Sequence, residues 1–298
     1  MKLITRHFLN RCASQINSAV PGKNVRFFTQ QANSQEESQT HFGFQTVKEN
    51  EKVEKVHKVF ENVANSYDLM NDAMSLGIHR VWKDIFIDRL GPTHGTKYLD
   101  MAGGTGDIAF RFLKALQNQG PDKEGVKHTE VTISDINQHM LDVGQKRAER
   151  LGYVEEKLQN TKINWVCADA EKLPFEDNSF SAYTIAFGIR NCTHIDRVLS
   201  EAFRVLQNGG RFMCLEFSHL NNNTLQWLYD QYSFQVIPPM GQILAGQWEA
   251  YQYLVESIRK FPKQEHFKEM IENAGFNLVQ YENLSCGVVS IHSGFKLL

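Results

Sequence analysis

Tyr98-Leu99-Asp100-Met101-Ala102-Gly103-Gly104-Thr105-Gly106-Asp107 is the stretch whose reading decides the fold. A short apolar run ends in a carboxylate, a glycine-rich turn follows, and Ile108-Ala109-Phe110-Arg111-Phe112-Leu113 continues at helical spacing. Strand, glycine turn and helix in that order open an α/β nucleotide site. Glycine accepts positive φ and lets backbone approach a ligand, while the start of a helix offers unpaired N–H groups. The turn alone is ambiguous. Gly104-Thr105-Gly106-Asp107-Ile108-Ala109 also fits the G-x-G-x-x-A pattern of a dinucleotide fold, and a turn without a ligand reads the same way.

Working outward toward the C-terminus, Val131-Thr132-Ile133-Ser134-Asp135 reads as a second strand ending in an acid. Residues 163–170 form a third strand and its exit at Asp169-Ala170, 183–188 a fourth and 211–217 a fifth, with helical periodicity between them. The alternation predicts a largely parallel sheet covered on both faces. Beyond Ser218, an aromatic-rich segment over 225–237 is expected to break at Pro238-Pro239-Met240-Gly241. Helices at 251–258 and 267–274 and two closing strands at 277–281 and 288–292 follow. Upstream, Val53, Val56, Val59, Phe60 and Val63 recur at three- and four-residue steps, and 81–86 resumes a helix that Gly91-Pro92 stops. Helices ahead of the first strand predict a lid over the carboxyl edge of the sheet.

Composition narrows the classes. Of 298 residues, 42% are hydrophobic, enough for a core, and the formal charge of −2 gives no electrostatic argument for nucleic acid. No uninterrupted apolar run reaches the roughly 18 residues of a spanning helix. The five cysteines lack CxxC spacing and read as reduced, structural thiols, with no metal site expected. Residues 1–35 carry Lys2, Arg6, Arg11, Lys23 and Arg26 with no acid before Glu36, the composition of a mitochondrial transit peptide. Residues 36–51 read as a polar linker and 52–298 as the folded domain.

The acids choose the nucleotide. Asp135 can accept both ribose hydroxyls, and Asp169 can accept from an adenine amino group. Asp100, ahead of the glycines, is expected to face a cationic ligand end, an ammonium or sulfonium, because it would repel a pyrophosphate. Here the chain resembles the class I S-adenosylmethionine-dependent methyltransferases. Further stretches carry the resemblance: Phe187-Gly188-Ile189-Arg190-Asn191, Arg204-Val205-Leu206 with Gly209-Gly210, Leu215-Glu216-Phe217-Ser218, the segment from Met74 to Lys83, and Tyr251-Gln252-Tyr253-Leu254-Val255-Glu256-Ser257-Ile258. Together they resemble the ubiquinone/menaquinone-biosynthesis C-methyltransferases over residues 41–298. Ala102 departs from the first glycine common in such loops, and Ala186 stands where bacterial relatives often have serine.

The resemblance implies a doubly wound, Rossmann-like, mostly parallel seven-stranded sheet with an antiparallel C-terminal hairpin and an N-terminal helical lid. It implies S-adenosyl-L-methionine as cofactor, bound by Gly104, Thr105, Gly106, Asp135, Asp169 and Ala170, and methyl transfer to a ring carbon of a polyprenylated benzoquinol. Arg190, Asn191 and Tyr67 are the expected catalytic residues: Arg190 to stabilise a developing phenolate, Asn191 and Tyr67 to orient hydroxyls. A structural Arg190, salt-bridged to a lid carboxylate, is the alternative. His79 is a further candidate base outside that set, and Cys192 reads as packing. Trp227, Leu228, Tyr232, Phe234, Val236 and Ile237, with Met70, Met74 and Trp82, are candidates to line an isoprenoid channel. The family further implies a homodimer, peripheral on the matrix side of the mitochondrial inner membrane and joined to other ubiquinone-biosynthesis enzymes in a multi-subunit complex. A non-catalytic scaffold on the same fold and a dehydrogenase are the competing readings.

Overall fold

The computed structural model describes residues 38–63, 67–120, 128–154, 157–158 and 160–297, with backbone alone for 60–63 and 67–70. The expected transit peptide lies outside the described residues. The chain opens with a hairpin, β1 (Gln39–Phe42) and β2 (Gln45–Lys48), and three helices, α1 (Glu49–Val63), α2 (Tyr67–Ser75) and α3 (Ile78–Leu90). Alternation then sets in: β3 (Lys97–Met101), α4 (Asp107–Asn118), β4 (Thr129–Asp135), α5 (Gln138–Leu151), β5 (Thr161–Cys167), β6 (Phe180–Ala186), α6 (Ile195–Val205) and β7 (Leu206–Phe217). Three helices, α7 (Asn223–Gln235), α8 (Ile237–Ala245) and α9 (Trp248–Lys260), precede α10 (Gln264–Asn273), β8 (Asn277–Leu284) and β9 (Val289–Phe295).

The sheet has seven strands in the order β5-β4-β3-β6-β7-β9-β8. Pairing from β5 across to β7 is parallel, while β9 runs antiparallel to both β7 and β8. Strand order reverses between β3 and β6, the crevice where open α/β sheets bind ligands. Along β3 the side chains alternate: Leu99 and Met101 enter the cluster with Val198, Leu199, Phe267 and Ile271, and Tyr98 enters the opposite one with Phe112, Leu113 and Phe86. Asp100 shares Tyr98's face and so lies under α4 rather than in the crevice.

Two expectations change. The polar stretch read as linker over 36–51 contains the β1–β2 hairpin and the start of α1, closed by a turn at Gly43 with φ +59°. The hairpin is held from outside: Phe42 stacks on Tyr253 with centroids 4.1 Å apart, and the Phe44 N–H donates to Glu256 Oε2 at 2.9 Å. The break expected at Pro238-Pro239-Met240-Gly241 falls at Val236, between α7 and α8, and the two prolines occupy the first turn of α8, where a missing N–H costs no intrahelical bond. Among the described residues no helix is long and apolar enough to cross a membrane, and no group of three metal-ligating side chains is placed to hold an ion.

Candidate functional site

The glycine turn leaves β3 in a left-handed conformation: Ala102 has φ +53°, Gly104 φ +53° and Gly106 φ +83°. Ala102 thus adopts the backbone that glycine tolerates best, and it constrains a distant residue. A Cβ on Gly188 would lie 2.5 Å from the Ala102 Cβ, so the Phe187-Gly188 turn must have glycine there. Gly103 is equally confined, since its Cβ would meet Ile133 Cγ2 at 2.7 Å. The turn floors a cavity of about 200 Å³ at the carboxyl ends of β3 to β6, roofed by Val53, Val56 and His57 of α1. The expected lid is in place.

Gly104, Thr105, Asp135, Asp169 and Ala170 all line this cavity, whereas Gly106 caps the start of α4 beside it. Asp135 Oδ2 accepts from the Gly104 N–H and Oδ1 from the Asn137 N–H, both at 2.9 Å, fixing the carboxylate and leaving a second lone pair on each oxygen. Burial pushes its pKa up, and those two amides oppose the shift. Asn137 caps α5 through Oδ1, which accepts from the Met140 N–H, while its buried Nδ2 has no partner among the described residues. A buried amide donor without an acceptor is costly unless a ligand supplies one. Beside the Asp135 carboxylate, with the apolar Met140 and Ile136 alongside, it completes a lining whose chemistry fits an adenine nucleoside.

Asp100 corrects the sequence reading. It is 1% exposed and is not part of this cavity's lining: Oδ2 accepts from the Ala109 N–H at 3.1 Å and Oδ1 from the Thr184 hydroxyl at 2.9 Å. Burial raises its pKa to about 7, although Thr184 and the Ala109 amide oppose the shift. It ties β3 to the start of α4. The carboxylate beside the turn is Asp107, where burial acts to raise the pKa but Lys83, Arg111 and Arg147 prevail and hold it at about 2. Lys83 Nζ donates to Asp107 Oδ2 at 2.8 Å.

A smaller cavity of about 70 Å³ adjoins the first, with Lys83 and Phe187 in the walls of both. Val59, Asn71, Met74 and His79 come from the lid, Ala250, Tyr251, Tyr253 and Leu254 from α9, and Arg190 and Phe217 from the sheet edge. Arg190 is 8% exposed, and its Nη1 donates to Glu216 Oε1 at 2.9 Å and to the Phe187 carbonyl at 2.6 Å. Its partner is therefore a carboxylate ending β7, not one on the lid. Nε has no partner among the described residues. Asn191, one residue on, lines the larger cavity, and its Oδ1 accepts from the Tyr253 hydroxyl at 2.9 Å. Tyr67 opens α2, and its side chain lies outside the described residues. Cys192 is a protonated packing thiol, its pKa pushed far up by burial.

The suggested isoprenoid lining is not assembled as expected. Met74 lines the smaller cavity, but Trp82 is a core residue bonded to Ser285 Oγ, and Trp227 and Leu228 are more than half exposed. Sequence reasoning missed Glu216, Tyr253 and Asn137. Glu216 lay in a quoted motif, and Asp135-Ile136-Asn137-Gln138 carried a helix-cap signal.

Comparison with known proteins agrees with this geometry. The chain is 68% identical over 297 residues to the mitochondrial 2-methoxy-6-polyprenyl-1,4-benzoquinol methylase of Drosophila melanogaster, covering 100% of this chain and 97% of that one. It is 56% identical over 290 residues to the protein of that name from Danio rerio, covering 89% and 87%. Among solved structures, a SAM-dependent methyltransferase from Thermotoga maritima shares the fold at 18% identity and a TM-score of 0.51, over 80% of this chain and 98% of that one. The family model of the ubiE/COQ5 methyltransferases matches residues 45–296, and the chain belongs to that family.

Proposed function

We propose that the chain transfers the methyl group of S-adenosylmethionine to a ring carbon of 2-methoxy-6-polyprenyl-1,4-benzoquinol in ubiquinone biosynthesis. The observation that carries this reading is the pairing of cavities: a nucleoside site and an aromatic, arginine-bearing site share Phe187 and Lys83. When bound, the cofactor supplies an electrophilic methyl on a sulfonium. The turn at Gly104, Thr105 and Gly106 takes the amino-acid end of the cofactor, Asp135 the ribose, and Asp169 with Ala170 the adenine. Arg190 is always cationic and donates only, so its free Nε stabilises an ionised ring oxygen and raises electron density at the ortho carbon. Asn191, fixed by Tyr253, and Tyr67 orient the ring hydroxyls. Lid helices exclude water from the site, and holding carbon and methyl in line supplies much of the acceleration.

Residues 1–35 serve in this reading as a mitochondrial transit peptide. The mature chain works as a homodimer, peripheral on the matrix side of the inner membrane, in a complex with other ubiquinone-biosynthesis enzymes. An insoluble substrate and the exposed apolar residues of α7 and α8, such as Trp227 and Ile243, support membrane contact. Incubating the protein with methyl-labelled cofactor and the demethyl benzoquinol, followed by mass analysis, tests the central reading. Label on a ring carbon is expected; label on oxygen, or none, overturns it. Release from inner membranes by alkaline carbonate and a sedimentation mass of two mature chains are the expected outcomes for the association.

A further inference from the structure

We propose that His79 is the general base of this reaction, accepting the ring-hydroxyl proton on Nδ1. The inference rests on the smaller cavity being the quinol site. His79 is 6% exposed and lines that cavity opposite Arg190 and Tyr253. Its Nε2 lies 2.8 Å from Asp72 Oδ1, and the same carboxylate accepts from Arg80 Nε at 2.8 Å and Nη2 at 2.6 Å. Arg80 and His79 hold Asp72 ionised, well below the usual carboxylate range, so it can only accept. Nε2 therefore carries the ring proton, and Nδ1 is the nitrogen with the lone pair. Nδ1 is buried and has no hydrogen-bond partner among the described residues. A carboxylate that fixes the tautomer, and an unpaired acceptor on a side chain that lines a ligand cavity, is how a general base is built.

Among the described residues, three other groups around the cavity are poor acceptors for the proton. Arg190 is donor-only and Lys83 is committed to Asp107. The Tyr253 hydroxyl donates to Asn191, and burial pushes its pKa far up. The charges facing His79 are Asp72 on α2, Lys83 on α3, Asp107 on α4, and Arg190 with Glu216 from the sheet edge; Tyr251 and Tyr253 face it from α9. Burial and Lys83 lower the imidazole pKa from 6.5 against the pull of Asp72 and Asp107, which keeps it neutral at pH 7.

The step balances. The quinol O–H breaks, its proton passes to Nδ1 and its electron pair stays on oxygen beside Arg190. A pair from the ortho carbon forms the new C–C bond to the methyl, and the S–C pair stays on sulfur as a thioether. The C–H on that carbon then breaks, its pair restores the aromatic ring and its proton goes to solvent. The imidazolium returns its proton to the ring oxygen.

The test is His79→Gln in the full chain, assayed with labelled cofactor and demethyl benzoquinol. Glutamine can still donate to Asp72 but offers no base. The expected fall in kcat is about 100-fold or more, with S-adenosylhomocysteine affinity by calorimetry unchanged. In wild type the acid limb in kcat should level off once the imidazole is neutral; in the variant that levelling should be lost, leaving a residual rate that keeps climbing about tenfold per pH unit, the slope of a single ionisation, and that added imidazole partly restores. Activity within about threefold of wild type, a scale too small for a lost base, or a variant rate that levels off at the same pH as wild type, overturns the proposal. Asp72→Ala, which removes the acceptor that fixes the tautomer without touching the cavity wall, should lower kcat in parallel; an unchanged kcat there also counts against His79. A wild-type protein that labels no ring carbon defeats the quinol reading itself, a result distinct from any failure of the variants.

Discussion

At the scale of single residues, buried charge dominates. Arg190 and Glu216 are 8% and 1% exposed and bonded to each other, so removing one partner strands the other. Glu216→Ala should cost about 3–5 kcal/mol of stability, read as a lower denaturant midpoint, whereas an exposed pair such as Arg89–Glu282 should cost little when broken. Asp100 gives a pH signature. Its pKa of about 7 lies above the 3.8 of an ordinary aspartate, so the folded state binds the proton more tightly than the unfolded chain. Its contribution to stability is full below about pH 4 and is lost as pH rises toward 7. Asp100→Asn, neutral throughout, should therefore gain on wild type across that window, and a melting-temperature gap that stays constant from pH 4 to 7 would refute the assignment. That orientation was misread from sequence for a physical reason. Periodicity says that alternate residues on β3 share a face, but not which face meets the start of α4. Asp135, by contrast, was legible because a carboxylate just past a strand end has only the crevice to occupy.

Among elements, the β1–β2 hairpin reaches the proposed reaction site indirectly. Phe42 stacks on the Tyr253 ring, and Tyr253 fixes the Asn191 amide. Phe42→Ala removes a stacked pair worth about 0.5–1.5 kcal/mol and should raise the KM for quinol while leaving cofactor affinity unchanged, as steady-state kinetics and calorimetry will show. Gly43→Ala should act more severely, because its φ is +59° and a Cβ would lie 2.2 Å from Glu256 Oε2. The hairpin was hidden in the sequence because its short strands are mostly exposed and carry no apolar alternation; only Phe42-Gly43-Phe44 hinted at a turn. The central parallel strands were plain, since burial on both faces leaves short, mostly uncharged runs such as Val131-Thr132-Ile133-Ser134 and Tyr183-Thr184-Ile185-Ala186. The helical break expected at Pro238-Pro239 falls just ahead of them, at Val236, because proline interrupts a helix interior but starts a helix well.

For the whole molecule, the compact unit spans Glu37–Leu298. A chain begun at Glu37 should unfold at the same temperature as the full-length protein, a comparison that calorimetry settles. Alternating strands and helices announced the sheet and its ligand edge, but not the second cavity, whose walls come from α1 to α3, the sheet edge and α9. No local pattern relates Lys83 to Phe187 or His79 to Arg190; only the folded chain brings them side by side. The shared partition has a consequence for design. In the proposed reading a water-loving nucleoside and a greasy ring lean on the same two side chains, Phe187 and Lys83, so trimming either one alters both compartments at once.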